Sequence, residues 1–242
     1  LPLATGSRHC RALRCQQTGA SLLDSFGDHG AACTRTGELK RRGSAVERAW
    51  RPLWEEAPVQ ASEHPLVHDL VPTVPAWDGR QADVFVRGMS IGNGRPVVGD
   101  MCMGSALHVN GTPYAHASAE DGKAIERLTR QKHNDYPELV ASDRIRYVVL
   151  ACEEGGQWGP DIYEVVSDLV RLKVATLHPM LRRSAALAYT RKWWAILATG
   201  AQSAAIDCIL GQDPQVWVPH GAPPLAVDLA WADVAPEPSR LG

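Results

Sequence analysis

The chain has 242 residues, 45% of them apolar, and carries 25 Lys/Arg against 27 Asp/Glu for a net charge of −2. That length supports one sizeable core with small appendages, and the near balance of charge argues against avid nucleic-acid binding by the chain as a whole. A membrane helix needs ~20 uninterrupted apolar residues, and the best run, Trp193 to Leu210, is broken by Thr199, Gly200, Gln202, Ser203 and Asp207.

The first 37 residues are rich in Cys, Gly, Ser and Thr and show little apolar periodicity. Such a piece needs a staple to fold. Cys10 and Cys15 form one close pair, His29 and Cys33 a second, with 13 residues between the pairs. Two close pairs joined by a loop are what a tetrahedral Zn²⁺ site needs, and Asp28 is placed to orient the imidazole. The competing reading is three unrelated thiols and a surface histidine. Cys102, Cys152 and Cys208 stand singly in apolar surroundings. That is no disulfide framework, and it points to free thiols in a reducing, intracellular compartment. Residues 1–51 hold nine Lys/Arg and four Asp/Glu. A basic end of this kind can meet phosphates, or it can be a solvated face. No apolar signal segment opens the chain. Its start at Leu1 reads as a fragment of something longer.

Leu39, Val46, Ala49, Trp50, Leu53 and Trp54 recur at helical spacing over 38–57, with Pro52 expected to end or kink that helix. From Pro58 to Trp77 the Pro-rich chain reads as extended or looping. Two strands follow, 82–86 and 96–103, and the turn residues from Gly88 to Gly94 predict an antiparallel hairpin. Residues 117–134 read as a helix with Ser118 as N-cap. Residues 144–152 read as a third strand, and 161–172 and 180–210 as helices. From Gln212 the proline-rich, acidic tail is expected to be disordered. The order gives an α/β (α+β) core, a small mixed sheet with flanking helices. The expected divisions are 1–37, a core over 38–172, a helical extension over 173–211 and the tail over 212–242.

Asp83 lies in the first of the hairpin strands and Asp100 in the second. A carboxylate inside an apolar strand is costly unless it is paired or metal-bound. Two of them in paired strands, with a lysine nearby, can hold Mg²⁺ and support phosphodiester hydrolysis. For either aspartate alone a strand-end position is the plainer reading. Glu47 in the first helix is a third acidic candidate, and an ordinary solvated helix position is its plainer reading. Trp193-Trp194, beside Arg191 and Lys192, could stack bases, but half-buried packing is the more usual use of such a pair.

The ordered set Gly27-Asp28-His29, Cys33, Arg41-Arg42, Ala82-Asp83-Val84, Gly99-Asp100, Lys132-His133-Asn134-Asp135-Tyr136 and Glu153…Trp158-Gly159 resembles the C-terminal region of non-LTR retrotransposon reverse-transcriptase polyproteins. That region carries a CCHC zinc knuckle followed by a restriction-like endonuclease of the PD-(D/E)XK type. The resemblance covers about residues 10–160. It implies a restriction-endonuclease-like core and a nuclear, Mg²⁺-dependent DNA endonuclease whose nick primes reverse transcription. DNA is the implied partner, with the element's RNA a second. Asp83 and Asp100 would hold Mg²⁺. Lys132, in a Lys-x3-Tyr segment, would be the catalytic lysine displaced from the strand, where this sequence has Cys102. Cys10, Cys15, His29 and Cys33 would hold Zn²⁺, and Arg41 and Arg42 would contact nucleic acid. Two departures stand out: Arg42-Gly43-Ser44 replaces the family's Arg-His-Asn/Asp triplet, and Ala82 replaces a proline. The alternative is therefore a catalytically inactive, zinc-stapled remnant that binds DNA or protein.

Overall fold

The computed structural model describes residues 38–108, 112–117 and 119–210; of 38–41 and 207–210 it describes the backbone alone. Cys10, Cys15, His29, Cys33, Ser118, the side chain of Arg41 and the tail from Gln212 lie outside the described residues.

Helix α1 spans Glu38–Glu56. Val46, Ala49, Trp50, Leu53 and Trp54 are buried, the three- and four-residue spacing that lays one stripe on a core. Pro52 lies within the helix and does not end it. An internal proline costs roughly 3 kcal/mol, but two large indoles on either side of it, Trp50 and Trp54, stack at 5.2 Å and are buried. Tertiary burial of that size holds the last turn in place.

Four strands form one mixed sheet in the order β1 (Gln60–Glu63), β2 (Val84–Arg87), β3 (Val97–Gly104), β4 (Arg146–Glu153). The β1–β2 and β2–β3 pairs are antiparallel and β3–β4 is parallel. The expected hairpin is β2–β3. The expected third strand is β4. Strand β1 falls where the sequence reads as loop, because all four of its residues are exposed and no alternation marks it. Parallel pairing of β3 and β4 needs a crossover, supplied by α3 (Lys123–Asp135) and α4 (Pro137–Ala141). Helix α3 starts five residues after the expected cap, behind Gly122 at φ 82°. The outer edge of β4 is covered by the chain that returns from it. The Val149 N–H donates to Asp161 Oδ2 at 2.8 Å and the Gly159 N–H to the Ala151 carbonyl at 2.8 Å. Edges covered this way do not recruit other chains.

Alternation along β3 divides the core. Val97, Met101 and Met103 face α1, α5 (Pro160–Ala175) and α6 (Arg182–Leu210). Val98 packs on the opposite face with α2 (Val67–Leu70) and α4, and Cys102 packs there with α3. Asp100 shares that second face by strand period. Trp193, Leu197, Ala201 and Ala204 of α6 belong to the same buried cluster as Trp50 and Leu53 of α1. Among the described residues, no helix is long and apolar enough to cross a membrane.

Helices α1 and α6 touch where Gly200 meets Ala49. A Cβ on Gly200 would lie 2.4 Å from the Ala49 Cβ. Gly200→Ala is expected to force the helices apart and cost about 1–3 kcal/mol in denaturant unfolding. Adding Ala49→Gly should recover part of that loss.

Candidate active site

The register places the two aspartates. Val84 pairs with Gly99, so one step outward Asp83 stands opposite Asp100. The Asp83 N–H donates to the Gly99 carbonyl at 3.1 Å, and the Met101 N–H donates to Asp83 Oδ2 at 2.5 Å. Both carboxyls are held above the usual range. Burial pushes Asp83 up first, against the Met101 hydrogen bond, and the negative field of Glu47 adds to it. Burial and then the neighbouring Asp83 push Asp100 up to about 6. The residue is 1% exposed.

Lys132 approaches from α3, its Nζ 2.5 Å from Asp100 Oδ2. Burial alone would lower its pKa, but the Asp100 carboxylate more than reverses this, and the ammonium stays charged. Two contacts aim the helix. One turn before Lys132, Leu128 packs onto Gly104 so closely that a Cβ there would lie 2.7 Å from its Cδ1. At the helix end the Tyr136 hydroxyl donates to the Gln81 carbonyl at 2.8 Å. The Arg80 guanidinium donates to the Asp135 carbonyl at 2.6 Å and to Glu138 Oε1 at 2.9 Å. The Lys-x3-Tyr spacing thus has a physical use. Tyr136 pins the helix to the segment leading into Asp83, and Lys132, a turn away, reaches Asp100. Cys102 lies on the same face, buried, with its thiol pushed up to about 12 by burial. It stays neutral and unreactive.

On its other side Asp83 meets α1 and the end of β1. Ligand atoms of Glu47, His64 and Asp83 all lie within 4.8 Å of one another. They border a cavity of about 280 Å³ whose wall also includes Arg48, Trp54 and Met101. Glu47 therefore sits beside Asp83, partly exposed. His64 was not foreseen. Its N–H donates to the Asp83 carbonyl at 3.1 Å, and its φ is 53°. A lone histidine after an exposed four-residue strand carries no sequence signal.

The donor set suits a hard divalent cation: two carboxylates in one group and a third, Asp100, across the strands. Asp83 stands beside Glu47 and His64, Asp100 stands beside Lys132, and Asp83 and Lys132 both act on the Asp100 carboxyl; the sequence reading expected Asp83, Asp100 and Lys132 together, with Glu47 as a third acidic candidate.

Arg42 is placed differently from its expected role at nucleic acid. It is 5% exposed. Its guanidinium ion-pairs with Glu154 and donates to the Met103 carbonyl at 2.8 Å. That clamps the ends of β3 and β4 to α1, and a group so committed does not project to a phosphate. Arg42→Ala is expected to cost about 2–4 kcal/mol in denaturant unfolding, because it strands a partly buried carboxylate. Trp193 is fully buried, with its Nε1–H donating to Glu56 Oε2 at 3.0 Å. Trp194 packs against Trp158 and Tyr163 at centroid distances of 5.5 and 5.0 Å. This pair serves packing, not base stacking.

No family model matches the chain, and no curated protein resembles it in sequence.

Proposed function

We propose that this chain is a Mg²⁺-dependent DNA endonuclease module of the restriction-like type, acting on nuclear DNA within a retrotransposon-type polyprotein. The observation that carries the reading is the convergence of Asp83, Asp100 and Lys132 from two paired strands and a crossover helix, with Glu47 alongside. The support from the fold is coarser: a mixed four-stranded sheet, an antiparallel meander followed by a parallel strand, with flanking helices. In this reading Asp83, Asp100 and Glu47 hold the cation. Bound there, the cation would polarise the scissile phosphate and lower the pKa of an attacking water. The Lys132 ammonium steadies charge developing on the phosphate, in a site where water screening is weak. Tyr136, Arg80 and Leu128 are positioning residues for that ammonium. The Cys10, Cys15, His29 and Cys33 set would hold Zn²⁺ and, with Arg41, bring the basic N-terminal segment to the DNA backbone. The element's RNA is a further partner in the same scheme.

The test is nicking of supercoiled plasmid by the full chain. Nicks are expected with Mg²⁺ and not with EDTA, leaving 3′ hydroxyl ends that a polymerase extends. Retained DNA binding with no metal-dependent nicking would select the catalytically inactive remnant instead. Absence of salt-sensitive DNA binding would select a protein-interaction module.

A further inference from the structure

We infer that His64 is a metal ligand, so that the corner formed by Glu47, His64 and Asp83 binds Mn²⁺ more tightly than the Mg²⁺ that supports the proposed reaction. The inference rests on the reading of that corner as a cation site and adds to it a third ligand and the order of ion affinity.

Three elements bring the ligands together. Glu47 comes from α1, His64 from the turn after β1, and Asp83 from the entry to β2. Their ligand atoms span at most 4.8 Å. Metal–ligand bonds of about 2.0–2.2 Å put neighbouring ligands on one ion about 3–3.5 Å apart, so side-chain rotations must draw these atoms together. The backbone holds the arrangement: His64 is tied to the Asp83 carbonyl, and the preceding Glu63 is forked onto Arg51 of α1, with both hydrogen bonds at 2.8 Å. His64 cannot move far from Asp83 without breaking these. A second observation points to an occupant. Trp54 lines the same cavity, is buried, and its Nε1–H has no acceptor among the described residues. Such a donor suits the water or phosphate oxygen that an ion carries.

The ligand chemistry sets the preference. Mg²⁺ holds oxygen ligands and retains its waters. An imidazole nitrogen favours first-row transition ions, and among them Mn²⁺ tolerates the most carboxylate. A site of two carboxylates and one imidazole fits that middle position.

The test uses the full chain loaded with one equivalent of Zn²⁺, which the thiolates of the N-terminal cysteines take up first, with excess Zn²⁺ removed before Mn²⁺ is added as the probe. Pulsed electron paramagnetic resonance of bound Mn²⁺ should show ¹⁴N modulation from a coordinated imidazole. His64→Gln is exposed and expected to fold. It should remove the modulation and weaken Mn²⁺ at least about tenfold, with Mg²⁺ affinity changed much less. Modulation absent in the wild type, or retained in His64→Gln, overturns the assignment, as does Mn²⁺ binding indifferent to Asp83→Asn. Modulation without any plasmid nicking supports His64 as a ligand while removing the nuclease reading. Nicking without modulation removes His64 alone.

Discussion

Lys132→Ala is expected to slow Mg²⁺-dependent nicking by about 10²–10³-fold, the usual loss when one preorganised charge is withdrawn from a developing anion. The ammonium lies 2.5 Å from Asp100 and is held there by a helix packed on Gly104 and pinned through Tyr136. The variant loses more than a charge beside the phosphate. Lys132 also pulls the Asp100 carboxyl down against burial and Asp83, so without it that carboxyl rises further and protons compete better with the cation. Nicking by Lys132→Ala should therefore climb more steeply with pH than nicking by the wild type. Part of its loss should be recovered by more Mg²⁺. Tyr136→Phe should retain the chemistry but loosen its geometry, with a smaller loss of rate. The measurement is initial nicking rate against pH and Mg²⁺ concentration for the three proteins.

The second large effect is on stability and has the opposite sign. Asp100→Asn should make the metal-free protein more stable at neutral pH. An unfolded aspartate titrates near 3.9, whereas in the folded chain burial and Asp83 raise Asp100 to about 6. Below about pH 4 the carboxyl is neutral in both states and the shift costs nothing. As pH rises through 6 it must ionise in the folded protein against burial and a like charge, and stability is lost. The attraction of Lys132 is already contained in that shift, so pairing does not cancel it. An asparagine has the shape of the neutral acid and escapes the cost. The gain should be about 1–3 kcal/mol above pH 7, vanishing towards pH 4. Melting temperatures of both proteins between pH 4 and 8 in EDTA check this. Adding Mg²⁺ should narrow the difference, stabilising the wild type more than the variant, which keeps Glu47 and Asp83 but lacks one carboxylate.

The hairpin and its two aspartates were legible because two apolar runs flank the turn residues from Gly88 to Gly94, and an acid within such a run stands out. The lysine was legible through motif order alone. No local pattern says that Lys132 and not Lys123 faces the sheet, and the reason lies in Leu128, Gly104 and Tyr136, distant in sequence. Strand β1 was missed because an all-exposed edge strand has no apolar period. With it went His64, whose approach to Asp83 depends on β1 pairing with β2. Glu47 carries no distinguishing signal, since a glutamate on an amphipathic helix reads more plainly as solvated. For Arg42 the phosphate role came from the resemblance alone. Its partners, Glu154 and the Met103 carbonyl, come from β-strand ends that only the folded sheet brings to it.

The central claim is that Asp83 and Lys132 act at one hydrolytic centre. A double-mutant cycle on the single-turnover nicking rate addresses it most directly, using Asp83→Ala, Lys132→Ala and the pair. The expected result is a large loss for each single variant and almost no further loss for the pair, as for groups working as a unit. Nicking by all four proteins at the same rate, or losses that simply multiply, would contradict it.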